Sequence, residues 1–319
     1  MKFNVLVTHK LLPEAMAYLQ SHVDLELCPE KDALTKQDII QKIRDKDGLL
    51  CLLTDEIDRE IIAAASRLRI IANCAVGFNN IDFASARAKE ILVTNTPGIL
   101  TETTAELTWA LILSVARRIP QAHVFTRNKN FKGWEFDLFL GKDIRGKRLG
   151  IIGLGRIGKA VAQRAAAFQM EIVYFDLHRL SAEDEKKFQA TYLSLDDLLR
   201  TADIISIHAS MTGEAYHLIS ADRIRLMKKD AILINVARGP IVDEKALAEA
   251  LEKGQIWGAG LDVYEREPDI EEKLFGLDNV VFLPHIGSAT YETRLKMAMA
   301  ASKNLVQGLR GERPDNLVT

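Results

Sequence analysis

Gly153, Gly155 and Gly158 stand in the run Gly153-Leu-Gly155-Arg156-Ile157-Gly158. That spacing suits a turn carrying a strand into a helix around a phosphate. The first glycine permits the tight turn, the second lets the main chain approach a pyrophosphate, and the third allows close helix–strand packing. The helix opening at Ile157, just after Arg156, would aim free N–H groups and its positive dipole end at the phosphates, so both residues join the expected cofactor contacts. Asp176 follows the loop by about twenty residues, at the end of the next apolar run, where a carboxylate can accept from both hydroxyls of a ribose. It would repel a 2′-phosphate, so NAD is the expected dinucleotide. Arg179 stands nearby and leaves NADP possible.

A second group lies further along. Arg238 follows the apolar run Ile232–Val236, Glu267 follows Ala259–Val263, and His285 follows Val280–Leu283. If these runs are parallel strands, all three fall on the edge where a ligand binds. Their types suit hydride transfer to a 2-keto acid. The resulting alkoxide needs a proton, and histidine is a natural donor near neutral pH. A carboxylate beside it favours the imidazolium. An arginine fork can bind the substrate carboxylate and polarise its carbonyl. Asp262 sits inside an apolar strand, where a charge must be paired. A nicotinamide carboxamide would serve as its partner; the alternative is a buried, hydrogen-bonded structural Asp.

The elements that must position these residues come in two alternating arrays. Expected strands in the first are Phe3–Thr8, Asp24–Leu27, Leu49–Leu53, Arg69–Cys74 and Ile91–Thr94. Amphipathic stretches separate them: Pro13–Gln20, Lys36–Arg44, Arg59–Ala65 and Phe83–Lys89, with Asp58 and Asp82 as N-caps. A long helix is expected over Thr101–Ile119, with Leu107, Ala110, Leu111, Ser114 and Val115 on one face. A helix and an extended aromatic arm follow over Gln121–Lys142. The second array has strands at Leu149–Ile152, Ile172–Phe175, Ile204–His208, Ile232–Val236, Ala259–Val263 and Val280–Leu283. Its helices are Ile157–Phe168, Leu195–Thr201, Ala221–Met227 and Glu244–Glu252, with Ser220 and Asp243 as N-caps. Tyr291–Leu309 closes the chain as a long amphipathic helix. Strict alternation implies parallel sheets covered on both faces. The fold class is therefore α/β, with two doubly wound parallel-sheet domains.

Composition agrees. The 319 residues suggest about two domains. A formal net charge of −2 steers the chain to neither nucleic acid nor an acidic membrane face. Cys28, Cys51 and Cys74 lie far apart, with no metal-ligand spacing. No metal is expected. They fit a reducing compartment, and the first residues read as a strand rather than a signal peptide. The expectation is a soluble cytoplasmic protein.

The blocks GLGRIG, NVARGPIVDEKAL, GLDVYEREP and LPHIGSAT, in this order, resemble the D-isomer-specific 2-hydroxyacid dehydrogenases, and the resemblance covers essentially the whole chain. It implies a catalytic triad of Arg238, Glu267 and His285. It implies a flavodoxin-like substrate domain, residues 1–100 plus 288–319, and a Rossmann NAD-binding domain, residues 101–287, with the active site in a cleft. Asn73 to Asp82 resembles the family's carboxylate-binding loop, whose main-chain amides would be those of Val76 and Gly77. Small residues there bring backbone close to an anion. Thr104, His208, Thr212, Val236, Ala237, Asp262 and Gly287 match positions lining the dinucleotide. One departure is His208-Ala-Ser210-Met-Thr212, where relatives commonly carry proline at the third place.

Within the family, the chain most resembles glyoxylate/hydroxypyruvate reductases. That resemblance implies a small 2-keto acid substrate, NAD with NADP possible, and a homodimer whose arm carries Trp134 to the partner's active site. An exposed dimer-interface aromatic is the alternative for Trp134. The acidic stretch Leu52-Leu-Thr-Asp55-Glu56 offers no cation for a substrate phosphate and argues against phosphoglycerate. D-lactate and phosphite oxidation remain open. So does a dinucleotide-sensing interaction protein, although it would not need the triad.

Overall fold

A computed structural model describes residues 2–27, 34–211 and 213–318. The chain divides into two compact units, residues 1–100 with 288–319, and residues 101–287. Cys28 and Thr212 lie outside the described residues.

The first unit is built on strands β1 (Asn4–Val7), β2 (Asp24–Leu27), β3 (Gly48–Cys51), β4 (Ile70–Asn73) and β5 (Leu92–Thr94). They run parallel in the order β2-β1-β3-β4-β5. Side chains alternate between the faces, as a strand requires. Val5, Val7, Leu50 and Ile70 pack with Leu19 and with Leu305 and Leu309 of the helix Tyr291–Leu309. Leu6, Leu49 and Ile71 pack on the other face with Ile39, Ile43 and Ile61. The last helix thus belongs to the first sheet. It sits so close that a Cβ on Gly308 would meet Ile70 Cδ1 at 2.5 Å.

The second unit contains β6 (Arg148–Ile152), β7 (Glu171–Phe175), β8 (Ala190–Tyr192), β9 (Ile204–Ile207), β10 (Ile232–Asn235), β11 (Gly258–Leu261) and β12 (Val280–Phe282). The order is β12-β11-β10-β9-β6-β7-β8, all parallel. Ignoring the outer β12, this is the dinucleotide-binding order, with its reversal between β6 and β9. Apolar cores fill both faces. Both units are therefore doubly wound α/β structures.

Several expectations need correction. The helix expected to reach Ile119 stops at Ala116, and a second runs Ile119–Arg127, joined through Arg118 at φ 52°. Pro120 explains the break. In a continuous helix its ring would clash with the carbonyl of Ala116 and could not donate to it. That carbonyl instead accepts from Lys142 N at 2.8 Å. On the first of these helices Ala110 is exposed, and Thr104, Ala105, Thr108, Trp109 and Ile112 join Leu111 and Val115 on the buried side. Strand β8 and the helix Ala182–Phe188 have no counterpart among the expected elements. One is three residues long and the other is mostly charged, so neither carries readable periodicity. The helix expected over Ile157–Phe168 is α-helical over Arg156–Ala165 and tightens to a single 3₁₀ turn beyond. Ser220 occupies its N-cap position without a side-chain cap bond, whereas Asp58, Asp82 and Asp243 each accept cap bonds.

Candidate active site

The glycine loop joins β6 to the helix Arg156–Ala165. Gly153 has φ 90°, a region where side chains are strained, and a Cβ there would sit 2.5 Å from Ala209 N. A Cβ on Gly158 would meet Gly153 O at 2.3 Å. Among the described residues, nothing lies within 4 Å of the Cβ position of Gly155, which faces open space at the helix N-terminus. Asp176, after β7, accepts from Leu154 N at 2.8 Å and His178 N at 3.1 Å. Its carboxylate is thereby fixed beside the loop. Across the reversal, His208 follows β9. Its Nε2 lies 2.8 Å from Ser206 Oγ, and Nδ1 is buried with no partner among the described residues. Burial pushes its pKa down to about 3, so the ring is neutral. A cradle open at Gly155, a fixed acid and an orphaned ring nitrogen fit a dinucleotide.

His285 follows β12 at φ 56°. Its Nδ1 lies 2.8 Å from Glu267 Oε2, and the two side chains are 26% and 32% exposed. Glu267 Oε1 accepts from Tyr264 N at 3.0 Å. Burial opposes ionisation of Glu267, but the His285 bond and charge, the Tyr264 N–H and Arg238 together hold its carboxyl below the ordinary range. Arg238, after β10, donates to Ala237 O at 2.7 Å and is lowered by burial, an effect its attraction to Glu267 opposes. The three expected triad residues thus lie at the same edge of one sheet, after three successive strands, and His285 and Arg238 both act on the carboxyl of Glu267.

The loop carrying His285 is pinned by Asp262. Its two oxygens accept from Ile286 N at 2.7 Å and Gly287 N at 2.8 Å. Burial raises this carboxyl, and the two amide bonds pull the other way. Asp262 is thus buried and hydrogen-bonded to main-chain amides. Thr104 Oγ1 donates to Gly287 O at 3.1 Å and ties the same turn to the helix Thr101–Ala116. Val236 and Ala237 lie between β10 and Arg238. There Asn235 shapes the turn, accepting from Ala237 N at 3.1 Å and donating to Arg238 O at 3.0 Å.

Three positioning residues escape a reading of the sequence: Asn235, Tyr264 and Glu244. Glu244 is buried and accepts from Glu265 N at 2.8 Å and Glu271 N at 2.6 Å, bracketing Glu267. A polar residue ending an apolar strand could have signalled Asn235. Nothing in the sequence signals the other two: Glu244 accepts from main-chain amides far along the chain, and Tyr264 acts on Glu267 through its own main-chain N–H. Trp134 is 80% exposed on the arm, and its ring contact is with Phe136. The structure does not bring it to the other candidates within this chain.

In the first unit, Val76 and Gly77 follow β4. Their carbonyls are turned inward: Asn95 Nδ2 donates to Val76 O at 2.7 Å and Asn73 Nδ2 to Gly77 O at 2.8 Å. Among the described residues their N–H groups carry no hydrogen bond. Two free adjacent amides form a small anion cradle.

The dinucleotide topology and this constellation define a dehydrogenase of the nicotinamide class. Residues 109–287 match the family model described as D-isomer specific 2-hydroxyacid dehydrogenase, NAD binding domain. The chain is 46% identical over 322 aligned residues to a glyoxylate reductase of Thermococcus kodakarensis, covering 100% of this chain and 96% of that one. Among solved structures it is similar to the TT0316 protein of Thermus thermophilus, with TM-score 0.93, 41% identity, and coverage of 99% and 100%. It is also similar to an NADPH-dependent glyoxylate/hydroxypyruvate reductase from Sinorhizobium meliloti, solved with NADP and malonate. There the TM-score is 0.88, identity 30%, and coverage 100% and 97%. The chain belongs to the D-isomer-specific 2-hydroxyacid dehydrogenase family and is an NAD(P)-dependent enzyme of glyoxylate reductase-like sequence.

Proposed function

We propose that this enzyme reduces a small 2-keto acid of the glyoxylate or hydroxypyruvate kind to the D-2-hydroxy acid, with His285 as proton donor. The observation that carries the reading is the 2.8 Å His285–Glu267 pair at the sheet edge that also bears Arg238 and the glycine loop. The bound reduced nicotinamide supplies a hydride to the carbonyl carbon. His285 gives its proton to the carbonyl oxygen, and Glu267 stabilises the imidazolium beforehand. Arg238 holds the substrate carboxylate and polarises the carbonyl. The free amides of Val76 and Gly77, in the first unit, suit a carboxylate as well.

In this reading residues 1–100 and 288–319 form the substrate-binding domain. Residues 101–287 hold the dinucleotide through Gly153, Gly155, Arg156, Ile157, Gly158, Asp176, His208, Thr212, Val236, Ala237 and Gly287. Thr104 and Asp262 hold the turn after His285. The enzyme acts as a homodimer, because Phe131, Trp134, Phe136 and Leu140 are exposed together on the arm. Trp134 would contact the partner's substrate. The buried free thiols of Cys51 and Cys74 suit the reducing cytoplasm.

The test is NADH consumption with glyoxylate, hydroxypyruvate and pyruvate, and NAD reduction with phosphite. Glyoxylate or hydroxypyruvate should give the highest kcat/KM. His285→Ala should lower kcat for reduction on the order of 10³-fold while NADH still binds. Turnover of His285→Ala within tenfold of the parent would overturn the assignment.

A further inference from the structure

A nucleotide carrying a 2′-phosphate needs a cation near Asp176, and Arg179 is close in sequence. The structure shows where that cation goes. Arg179 Nε donates to Glu185 Oε1 at 2.8 Å, and its terminal nitrogen donates to Glu185 Oε2 at 3.2 Å. The guanidinium also lies 5.4 Å from the centre of the Tyr192 ring. Its planar fork is therefore committed to one carboxylate.

That carboxylate is itself braced. Tyr174, fully buried in β7, donates its hydroxyl to Glu185 Oε1 at 2.8 Å and accepts from Leu180 N at 2.9 Å. The helix Ala182–Phe188 that presents Glu185 is capped by Ser181, which accepts from Asp184 N at 3.2 Å. The neighbouring Asp184 takes a second cation, Lys159, at 2.8 Å. Two successive acids on one short helix thus withdraw two cations from the neighbourhood of the glycine loop. Asp176, Arg179 and Glu185 together carry one net negative charge, the wrong sign for a phosphate.

We propose that Glu185 sets the choice of dinucleotide, holding Arg179 on Tyr192 so that the Asp176 corner accepts the free ribose of NADH and rejects the 2′-phosphate of NADPH. Glu185 touches neither cofactor. It is a specificity residue acting through Arg179. The proposal rests on the dinucleotide reading of this corner and is independent of which keto acid is reduced. Bidentate capture makes the arginine unavailable, and Tyr174 keeps the acid from following the arginine outward. Neutralising Glu185 releases a cation within reach of the 2′ position and removes one repelling charge.

The experiment is fluorescence titration of the full-length enzyme with NADH and with NADPH, in the absence of keto acid, at low and high salt. The parent should prefer NADH. Glu185→Gln should tighten NADPH at least about tenfold relative to NADH, with the gain shrinking at high salt. The double variant Glu185→Gln, Arg179→Ala should lose that gain. Tyr192→Leu keeps both charges and removes the ring under the guanidinium. It should move the ratio the same way by a smaller factor, and it decides the matter if Glu185→Gln fails to fold. An unchanged NADPH-to-NADH ratio in the folded single variants overturns the proposal. So does a gain that survives loss of Arg179. Failure of the parent to bind either nucleotide would instead sink the dinucleotide reading, and failure of keto-acid turnover would leave this result untouched.

Discussion

Each sheet of this enzyme reverses its strand order once, between β1 and β3 in the first unit and between β6 and β9 in the second. Such reversals open crevices where ligands bind. The two crevices are finished differently. In the first, Asp55 is buried and fills the gap, with Oδ2 accepting from Thr8 Oγ1 at 2.5 Å and Leu52 N at 2.7 Å. His9 Nδ1 stands 3.6 Å from its other oxygen. In the second, glycines keep the loop bare, and a buried nitrogen of His208 is left without a partner among the described residues. Topology supplies two equivalent crevices, and hydrogen-bond satisfaction decides which one keeps its capacity for a ligand. The acid that argues against a substrate phosphate on charge grounds turns out to be an internal plug. Binding capacity in the first unit moves to the next strand end, at Val76 and Gly77.

This contrast can be broken at either end. The largest effect is expected at Gly153→Val. Strain at φ 90° and the clash with Ala209 should cost about 3 kcal/mol, or roughly 100-fold in NADH affinity. Calorimetric titration measures it, and an affinity within threefold of the parent would refute the role of the bare loop. Next is Asp55→Ala, which leaves the Leu52 N–H unpaired and the Thr8 hydroxyl with only its longer contacts to Leu50 O at 3.4 Å and His9 Nδ1 at 3.2 Å. Urea unfolding should show a loss of about 2–3 kcal/mol with NADH affinity unchanged. A loss of NADH affinity without a loss of stability would mean that the first crevice is a ligand site after all.

A smaller change tests the cradle. Asn95→Ala removes the bond that turns the Val76 carbonyl inward. It should raise KM for the keto acid about fivefold, corresponding to ~1 kcal/mol, and leave KM for NADH alone. An effect on NADH instead would detach the cradle from the substrate. The smallest effect is on pH. The carboxyls of Glu265 and Glu267 are held below the ordinary 4.5, against burial, chiefly by His217 and His285. The unfolded chain therefore binds more protons than the native one as pH falls. This contribution is fully present above pH 4.5 and is lost as pH drops through the lowered native values. Glu267→Gln should flatten the acid limb of stability in unfolding curves taken between neutral pH and acid. A limb unchanged in steepness would remove Glu267 from that balance.

Much of this arrangement is legible in the chain because it is local. The glycine run, Asp176 and the residues after three apolar strands lie within short stretches whose order implies their edge of the sheet. A second pair shows the limit of residue type as a guide. His217 Nε2 lies 2.8 Å from Glu265 Oε1, the same separation as His285 from Glu267. His217, however, stacks on Tyr216 with ring centres 4.0 Å apart, and Glu265 also accepts from Glu244 N. One residue, Arg266, separates the two acids, and only their neighbours distinguish them. The residues that escape notice act across distance in sequence. Glu244 grips amides 21 and 27 residues away, and Asn95 reaches back 19. Neither separation has a period to read. Strand β8 is short, and the helix before it draws its order from caps and ion pairs rather than an apolar stripe.

The bond from Lys142 N to the Ala116 carbonyl has a consequence for the exposed arm. A Cβ on Gly141 would lie 2.3 Å from that same carbonyl, so the chain can return there only because residue 141 has no side chain. The segment bearing Trp134 and Phe136 is therefore a closed ring of chain rather than a trailing strand. Its ends are already joined, and much of its freedom was surrendered when the domain folded. A protein surface that meets these aromatics need not supply the ordering cost a loose tail would demand, so more of the contact energy appears as affinity.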